Sequence, residues 1–590
     1  MEVLPRLGKP SISVTTKYEV ADQPSLRSRR ASNQWVIRGL RSRHSAQTIP
    51  LLFLFLPFLL INFFQNWPGD GASHNKAPTT LLYRPEYLWG YQIRGNDPRY
   101  EWFKLGLHPS GEGRGLAKDY PSTTSLIANS TEDKERLVID YLTNLRKHAE
   151  TVMANTYGPS VFSKISREYI ITVPAVWDDK AQGRTQECAN QAGMGDHVQI
   201  ITEPEAAGIY ALTNMPTTVL KKNETFILCD AGGGTVDLVS YTISKLNPVP
   251  RLREAARGEG GLCGSIFLNR IFAKHLSDKF ANYPAWDDEY QTDALKFFED
   301  DIKKNFMGDT SQHYFIPARG LNKPELGIHQ NKLRLSGEEI KNIFEPVIQM
   351  VISLVTRQIR KTARPVTAIL MAGGFGSSEY LRIRIQDIVG PNVGVRKVAN
   401  GDTAIVKGAL ISGLSKKDPG HPYAIGSFGI DSRVARRHYG TMAYDTFIPS
   451  VHDENLKEPS PYSSDFIVPC MQWFIQKNTN VEDTKPVVTQ KPFFWERPVL
   501  DGSPKYIEAR IHVSEKDQAP LHLNKNVSEL VKIQADISSI PVENFPKKIG
   551  VGHQEFYRIP YKIETAIHSG SITFALLYGD ERYEATKEFL

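Results

Sequence analysis

The chain has 590 residues, of which 41% are hydrophobic and 23% charged, a composition typical of globular proteins and sufficient for two to four domains. Its net charge is +6, but residues 1–45 alone hold nine Lys/Arg against three Asp/Glu, so the remainder of the chain is electrically neutral. A neutral body lacks the basic surface that binds nucleic acid, and we expect no nucleic-acid partner.

The cysteines favour a reducing compartment, and the glycosylation sequons, which could suggest secretion, carry little weight against it. Three N-x-S/T triplets occur, but such triplets are common by chance, and the one at Asn223 immediately precedes a strand predicted to be buried. No two cysteines have the spacing of a metal or redox motif. The four are Cys188, Cys229, Cys263 and Cys470.

The N-terminal segment divides into two parts. Residues 1–47 are rich in Ser and Arg and are predicted to be a disordered or targeting extension. Residues 48–65 contain the uncharged run 49–64, IPLLFLFLPFLLINFF, which is interrupted by prolines and shorter than the ~20 residues of a bilayer-spanning helix. Three interpretations stay open: a membrane anchor, a buried core segment, or sequence foreign to the mature protein.

Beyond this segment the pattern predicts an α/β region over residues 66–414, followed by a linker at 415–421 and a β-rich region at 422–590. Apolar residues at helical spacing predict a helix over 132–153. Ser336 and Glu339 form a capping-box pattern before a second long helix. Long helical patterns are absent from the C-terminal part, where short alternating runs lie between turn residues.

The sequence 226–243, FILCDAGGGTVDLVSYTI, predicts a phosphate-binding loop. An apolar strand ends at Asp230, three glycines follow, and a second strand resumes at Thr235. Because the loop joins two strands, it differs from dinucleotide-binding and P-loop motifs, which both require a helix next. Glycines let backbone N–H groups approach a phosphate closely, and a carboxylate at the strand end can hold Mg²⁺ through water. The simpler alternative is a glycine-rich hairpin capped by Asp230.

Two further segments place polar groups at strand ends. In 368–381, AILMAGGFGSSEYL, an apolar strand runs into glycines and a helix is predicted near Ser377, so a helix N-terminus could face a ligand. In 198–212, VQIITEPEAAGIYAL, a strand ends at Thr202, and Pro204 suits the first turn of the following helix, which places Glu203 at a cleft edge. The alternatives are an ordinary strand-to-helix turn and a carboxylate that stabilises the helix dipole.

The order of these motifs resembles the nucleotide-binding domain of the heat shock protein 70 family, within the actin-like ATPase superfamily. The chain is most similar in style to a divergent branch without the standard chaperone tail. The segments that carry the resemblance are IITVPAVWDD at 170–179, IITEPEAAG at 200–208, LCDAGGGTVD at 228–237, GGLCGSIFLN at 260–269, FEDDIKKNF at 298–306, LMAGGFGSS at 370–378 and GDTAIVKGA at 401–409.

The resemblance implies an α/β, two-lobed actin-like ATPase fold with ribonuclease-H-like lobes, lobe I at about 66–222 and lobe II at about 223–414. It further implies that ATP and Mg²⁺ bind between the lobes. Asp230 would organise Mg²⁺, probably through water, and Glu203 would orient the attacking water. The remaining implied nucleotide-binding residues are Gly232, Gly233, Gly234 and Thr235 at the phosphates, Asp237 in the cleft, and Glu299, Lys303, Lys304, Gly373, Gly374 and Ser377 around the adenosine.

The chain departs from the family at its first phosphate loop. No D-x-G-T-T turn occurs upstream of Gly69, and family-like sequence resumes at 66–69, directly after the apolar run. The family's acidic, apolar interdomain linker is replaced by SKKDPGH at 415–421, and no helical lid is predicted. Half of the phosphate site is therefore unaccounted for, and chaperone activity is not carried over from the resemblance.

Three functions are compatible with these features. The first is an ATP-binding protein whose slow hydrolysis drives opening and closing of the lobes. The second is a non-catalytic adaptor that keeps the two-lobed fold and engages a protein partner through the C-terminal region. The third is a membrane-anchored sugar-kinase-like enzyme of the same superfamily. We expect a cytoplasmic protein, because an anchor at 49–64 preceded by basic residues would carry the globular bulk across the membrane.

Overall fold

The structure is a computed structural model. It describes residues 12–16, 63–94, 97–108, 115–122, 125–126, 128, 130–196, 198–214, 220–246, 250–417, 429–461, 463–483, 485–569 and 571–589.

Lobe I is built on two small sheets and one long helix. The first sheet has the order β1-β6-β7, in which β6 and β7 are parallel and β1 is antiparallel to β6. The second has the order β3-β2-β4-β5. The strands are β1 (Ile12–Thr16), β2 (Leu81–Leu82), β3 (Leu88–Trp89), β4 (Arg99–Tyr100), β5 (Ser125–Leu126), β6 (Arg167–Val173) and β7 (Gln199–Thr202). The helices are α1 (Leu116–Asp119), α2 (Thr131–Tyr157), α3 (Pro159–Phe162), α4 (Asp179–Ala189) and α5 (Glu203–Asn214).

Lobe II is built around a seven-stranded sheet with the order β15-β14-β8-β9-β10-β16-β20. Its strands, together with those of a small adjacent sheet, are β8 (Thr225–Ala231), β9 (Val236–Lys245), β10 (Arg251–Gly261), β11 (His313–Pro317), β12 (Ile328–His329), β13 (Lys332–Ser336), β14 (Val366–Ala372) and β15 (Gly394–Lys397). The helices are α6 (Ile266–Lys279), α7 (Asp288–Phe297), α8 (Lys303–Asn305), α9 (Gly337–Lys361), α10 (Glu379–Val389) and α11 (Ala404–Lys417).

The two long helices begin where their capping residues predict. Ser336 accepts a hydrogen bond from the Glu339 N–H, and the Glu339 side chain bonds back to the Ser336 N–H, which satisfies two otherwise unpaired donors at the start of α9. Ser130 and Asp133 form the same reciprocal pair at the start of α2. The predicted helix over 132–153 is therefore confirmed, and it is four residues longer at its C-terminal end.

The C-terminal region is β-rich, as the short alternating runs predict. Its strands form a sheet of order β18-β19-β17-β23-β24-β29 and a second sheet around the long strand β26. Apolar side chains from both sheets, among them Ile533 and Ile563, form one buried core. The strands are β16 (Gly429–Val434), β17 (His438–Thr446), β18 (Glu458–Pro459), β19 (Phe466–Ile475), β20 (Asn480–Glu482), β21 (Val487–Val488), β22 (Phe493–Pro498), β23 (Tyr506–Ser514), β24 (Ser528–Asp536), β25 (Lys547–Ile549), β26 (Glu555–Ile567), β27 (Ile572–Tyr578), β28 (Glu581–Glu584) and β29 (Thr586–Phe589).

The predicted C-terminal region contributes two strands to the sheet of lobe II. Helix α11 continues to Lys417, into the predicted linker, and β16 then pairs in parallel with β10. Strand β20 pairs with β16, so two strands from the predicted C-terminal region complete the sheet of lobe II. The reason is that β10 otherwise presents a row of unpaired backbone groups at the sheet edge.

The N-terminal segment is described only in part. Residues 12–16, within the predicted disordered or targeting extension, form β1 on the lobe I sheet. The apolar run 49–64 lies outside the described residues except for Phe63 and Phe64. Within the part of the chain that the structure describes, no helix is both long enough and apolar enough to cross a membrane.

Candidate functional site

The predicted phosphate loop is a tight connection between β8 and β9, with Asp230 and Asp237 directly opposite each other at its base. The Gly232 N–H donates to the Thr235 carbonyl at 3.0 Å and closes the turn. The start of α6 holds the loop from outside, because the N–H groups of Gly264, Ser265 and Ile266 donate to the carbonyls of Gly234, Gly232 and Gly233 at 3.0, 3.1 and 2.9 Å. The segment 260–269 therefore fixes the shape of this loop.

Asp230 does not cap the turn. Its side chain is buried, and no described residue forms a hydrogen bond with its Oδ1 atom. A turn cap would instead direct a carboxylate oxygen at an N–H group of the loop. An unpartnered buried carboxylate oxygen is costly, and a cation or a bound water could supply the missing partner.

The second glycine segment packs directly against this loop. Strands β14 and β8 are parallel with Ala372 beside Asp230, so both strands end at the same edge of the sheet. Gly373 follows with φ of +82°, and a Cβ atom there would lie 2.3 Å from the Ala231 carbonyl oxygen. Only glycine fits this close approach. The two glycine segments predicted to face one nucleotide are thus adjacent.

The chain beyond Gly373 makes a short turn before α10. Gly374 is partly buried, and the exposed Ser377 hydroxyl donates to the Gly374 carbonyl at 2.6 Å. Helix α10 begins at Glu379 with Ser378 as its cap, two residues later than the predicted start near Ser377. Ser377 is therefore at the cleft surface, with its hydroxyl already engaged by the turn.

Three buried carboxylates interact where the two lobes meet: Glu203 (3% exposed), Asp230 (3%) and Asp237 (1%). Burial raises the pKa of Asp230 well above its usual value, and the negative charges of Glu203 and Asp237 raise it further. Burial and the charge of Glu203 raise the pKa of Asp237 to about 7. Carboxylates that disfavour their own ionisation in this way are stabilised by a cation placed among them.

Two lysines from lobe I oppose this negative cluster, and neither was predicted as a site residue. Lys104 forms a buried ion pair with Glu203, its Nζ atom lying 2.6 Å from Oε1. The Lys104 ammonium group also lies 5.5 Å from the centre of the Trp177 ring, a cation–π contact. The pair therefore fixes the Glu203 carboxylate from the lobe I side.

Lys76 is the second cation. It is 5% exposed, and burial lowers its pKa to about 7 although the carboxylates of Asp402 and Asp230 raise it. The neighbouring Asn75 donates to Asp402 Oδ2 at 3.1 Å, which ties this lobe I segment to lobe II. In the sequence, the sign common to both lysines is that each is a single charged residue next to residues that are buried in the structure.

The residues of segment 299–304 that were predicted to contact the adenosine divide into a buried group and an exposed one. Glu299 Oε2 accepts hydrogen bonds from Lys303 Nζ at 2.6 Å and from Asn269 Nδ2 at 2.9 Å. Lys303 is 9% exposed, so this is a buried polar cluster. Lys304 does not join it, because its side chain is 64% exposed and pairs with Asp300 at 3.8 Å. Lys304 is consequently placed at the surface.

The residues present are compatible with Mg²⁺. The buried, unpartnered Oδ1 atom of Asp230 can accept a hydrogen bond from a metal-bound water, and the clustered carboxylates are stabilised by positive charge. No three metal-binding side chains lie close enough together, among the described residues, to hold a metal directly. Mg²⁺ would therefore be held mainly through water and phosphate oxygens, as this ion prefers.

Comparisons with known proteins agree with this geometry. Residues 133–416 match the family model described as Hsp70 protein. The chain is 25% identical over 457 residues to heat shock 70 kDa protein 12A of Mus musculus, an alignment that covers 60% of this chain and 66% of that protein. It is 23% identical over 495 residues to the human heat shock 70 kDa protein 12B, covering 66% and 69%.

A bacterial protein is also similar over a shorter region. The chaperone protein DnaK of Stenotrophomonas maltophilia is 26% identical over 260 residues, which covers 42% of this chain and 38% of that protein. The chain thus spans about two thirds of the length of the first relatives it matches. The family-model match over residues 133–416 contains Glu203, the loop after Asp230 and the Gly373 turn.

Proposed function

We propose that this chain, which carries an Hsp70-like nucleotide-binding domain of the actin-like ATPase superfamily, binds ATP with Mg²⁺ in the cleft and hydrolyses it slowly. The predicted family and the α/β, two-lobed fold with a β-rich C-terminal region are confirmed by the family match and the mixed sheets of the structure. Slow hydrolysis would change the angle between the lobes.

One observation carries the proposal. The phosphate loop after Asp230, the Gly373 turn and the Lys104–Glu203 pair all border the same buried cluster of carboxylates. A loop braced by the start of α6, with two lysines opposite, presents donors to phosphate oxygens from both sides. Phosphoryl transfer is catalysed mainly by positioning and charge stabilisation, which this arrangement supplies.

Each residue has a specific role in the proposal. The loop 232–235 binds the β- and γ-phosphates. Glu203, held by Lys104, accepts a hydrogen bond from the attacking water and orients it in line with the terminal phosphate. Lys76 places a positive charge beside Asp230, where it neutralises the phosphates on the lobe I side. Mg²⁺, held through water by Asp230, would neutralise charge on the phosphate oxygens.

Calorimetry and single-turnover hydrolysis on the full chain test the proposal. We expect heat of binding on titration with ATP in the presence of Mg²⁺, and slow release of phosphate from the bound nucleotide. Folding is checked separately by circular dichroism. Absence of binding heat at millimolar ATP on folded protein would refute the proposal.

A non-catalytic adaptor is the second candidate, and the specific observation in its favour is the lack of a D-x-G-T-T turn upstream of Gly69. Each lost phosphate donor can cost about 10² in rate, so binding can survive where hydrolysis does not. ATP binding without phosphate release over many hours would favour the adaptor. Sugar-dependent release of ADP would instead favour a kinase.

The proposal also includes a cellular compartment, the cytoplasm, and a protein partner. A cytoplasmic protein has access to ATP, and the four free cysteines, all buried, suit a reducing compartment. The β-rich C-terminal region is the surface proposed to engage a protein partner. Fractionation of cells that express the full chain, with carbonate extraction of the membrane fraction, separates a cytoplasmic protein from an anchored one.

A further inference from the structure

The C-terminal region contacts the start of helix α5 on both sides of Glu203. One residue before Glu203, the backbone N–H of Thr202 donates to the hydroxyl oxygen of Ser569 at 2.8 Å. Two residues after it, the carboxylate of Glu205 accepts hydrogen bonds from Arg433. Both contacts are buried and join residues that are more than 200 positions apart in the chain.

The Arg433–Glu205 contact is bidentate. Arg433 Nη2 lies 3.0 Å from Glu205 Oε1, and Nη1 bonds to the second oxygen. The side chains are 10% and 3% exposed. Arg433 also pairs with Asp483, its Nε atom lying 3.2 Å from Oδ1. A planar guanidinium group held by two carboxylates in a dry site has one orientation, and it imposes that orientation on its partners.

A second pair of contacts joins the C-terminal region to the start of helix α4 in lobe I. Arg437 Nη2 lies 3.3 Å from Asp178 Oδ2, and the Tyr439 hydroxyl donates to Asp179 Oδ2 at 2.9 Å. These acidic residues begin α4 immediately after Trp177, whose ring contacts Lys104. The segment 432–440, SRVARRHYG, thus contacts both lobe I elements that flank the Lys104–Glu203 pair.

We infer that Arg433, assisted by Ser569, is a positioning residue that holds the first turn of α5 and thereby sets the orientation of Glu203 in the cleft. The inference rests on the proposed function for its catalytic consequence. The structural part stands on the contacts alone.

The physical reason lies in what removal of Arg433 would do. Glu205 would be left as a buried carboxylate without its partner, and such a group rearranges to reach water or another cation. Glu205 is in the same helical turn as Glu203, so any rotation of this turn moves the Glu203 carboxylate relative to Lys104. Small displacements of a positioned group can cost up to about 10² in rate.

The chain offers a matched control on the same strand. Asp431, also on β16, forms an ion pair with Arg251 and accepts a hydrogen bond from Ser244, both in lobe II. Asp431→Asn therefore weakens the attachment of β16 to the sheet without contact to α5. Arg433→Gln weakens the same strand and in addition releases Glu205.

The test measures three quantities on the full chain: the single-turnover rate at saturating ATP·Mg²⁺, the ATP dissociation constant, and amide hydrogen exchange over residues 202–207. For Arg433→Gln we expect a rate about tenfold lower, a dissociation constant changed by less than about twofold, and faster exchange. Asp431→Asn should leave all three near wild-type values. Ser569→Ala, a milder change that keeps the ion pair, should raise exchange at the amides of Thr202 and Glu203.

The experiment distinguishes failure of this inference from failure of the proposed ATP hydrolysis. If the wild type does not hydrolyse ATP, the proposed hydrolysis fails, and the exchange data still decide the inference because they need no turnover. Faster exchange in Arg433→Gln but not in Asp431→Asn supports it. Equal exchange in the two variants overturns it. If Arg433→Gln does not fold, unchanged exchange in Ser569→Ala overturns it.

Discussion

The two sides of the cleft are built in different ways. On the lobe II side, the phosphate loop is closed by its own Gly232–Thr235 hydrogen bond and braced by three N–H groups from residues 264–266, about 30 positions further along the chain. On the lobe I side, the functional groups are single side chains from separate segments: Lys76, Lys104 and Glu203. The lobe II side is therefore formed by backbone hydrogen bonds, whereas the lobe I side is formed by charged side chains.

This difference indicates where the site tolerates change. A backbone loop held by local hydrogen bonds keeps its shape when one side chain is replaced, but side chains positioned by long-range packing depend on every element that supports them. Substitutions of the lobe I side chains, or of residues that pack against the elements carrying them, should therefore affect rate, pH dependence and stability, whereas substitutions on the lobe II side of the site should affect the binding of ATP and its Mg²⁺ dependence. The predictions below test that division.

The largest effect is expected for Glu203→Gln. The amide keeps the shape of the side chain but is a poor acceptor for the attacking water, and it removes the ion pair with Lys104. We expect the single-turnover rate to fall about 10²-fold while the ATP dissociation constant changes by less than about threefold. Rapid quench measurements at saturating ATP·Mg²⁺ give the rate.

Glu299→Gln is the control for this prediction. It lies on lobe II and holds Lys303 rather than the reaction centre. Its expected effect is weaker ATP binding with an unchanged rate at saturation. If Glu203→Gln weakened binding as strongly as it slowed turnover, its assignment to the attacking water would be wrong.

The second prediction concerns the packing that supports Glu203. Helices α5 and α11 touch so closely that a Cβ atom at Gly408 would lie 1.7 Å from the Ala206 carbonyl oxygen. Gly408→Ala must push the helices apart, and we expect the free energy of unfolding to fall by about 1–3 kcal/mol. Thermal or urea unfolding measures it. Gly71→Ala, where no atom lies within 4 Å of the added carbon, should be close to neutral.

A smaller effect is expected from Asp230→Asn on lobe II. The loop itself should remain intact, because its hydrogen bonds involve only backbone groups. We expect ATP affinity in Mg²⁺ to fall about tenfold, toward its value in EDTA, since the charge that attracts the ion is lost. Titration of ATP with and without Mg²⁺ checks this. A variant that retained the full Mg²⁺ dependence would contradict the role of Asp230.

The smallest effect is a pH dependence from Lys76. Its pKa of about 7 lies far below the ordinary lysine value, so the ammonium charge in the nucleotide-free protein is present below pH 7 and lost as pH rises through 7. We expect ATP affinity to be about threefold higher at pH 6 than at pH 8, and Lys76→Met to lose this part of the pH dependence. Lys304→Met, which changes an exposed lysine, should retain it.

The lobe II site could be predicted from sequence because each part is local. Asp230 and its glycines are consecutive, and the Gly373 segment follows a strand that is apolar throughout, so both motifs could be assigned without knowledge of the fold. The lysines could not, since nothing in the residues around Lys76 indicates that Asp230 and Asp402 lie beside it. That the chain lacks the family's first phosphate loop stays a prediction, since upstream of residue 63 the structure describes only residues 12–16.

The α/β fold class, the two glycine segments, the carboxylates at the strand ends and the β-rich character of the C-terminal region could all be predicted from the sequence, because they follow from hydrophobic periodicity and turn residues within short windows. Three features became visible only in the folded chain: β16 and β20 complete the lobe II sheet, Lys104 faces Glu203, and Arg433 contacts Glu205. The two side-chain contacts join residues 99 and 228 positions apart, and partners at such separations are set by the packing of whole sheets and helices.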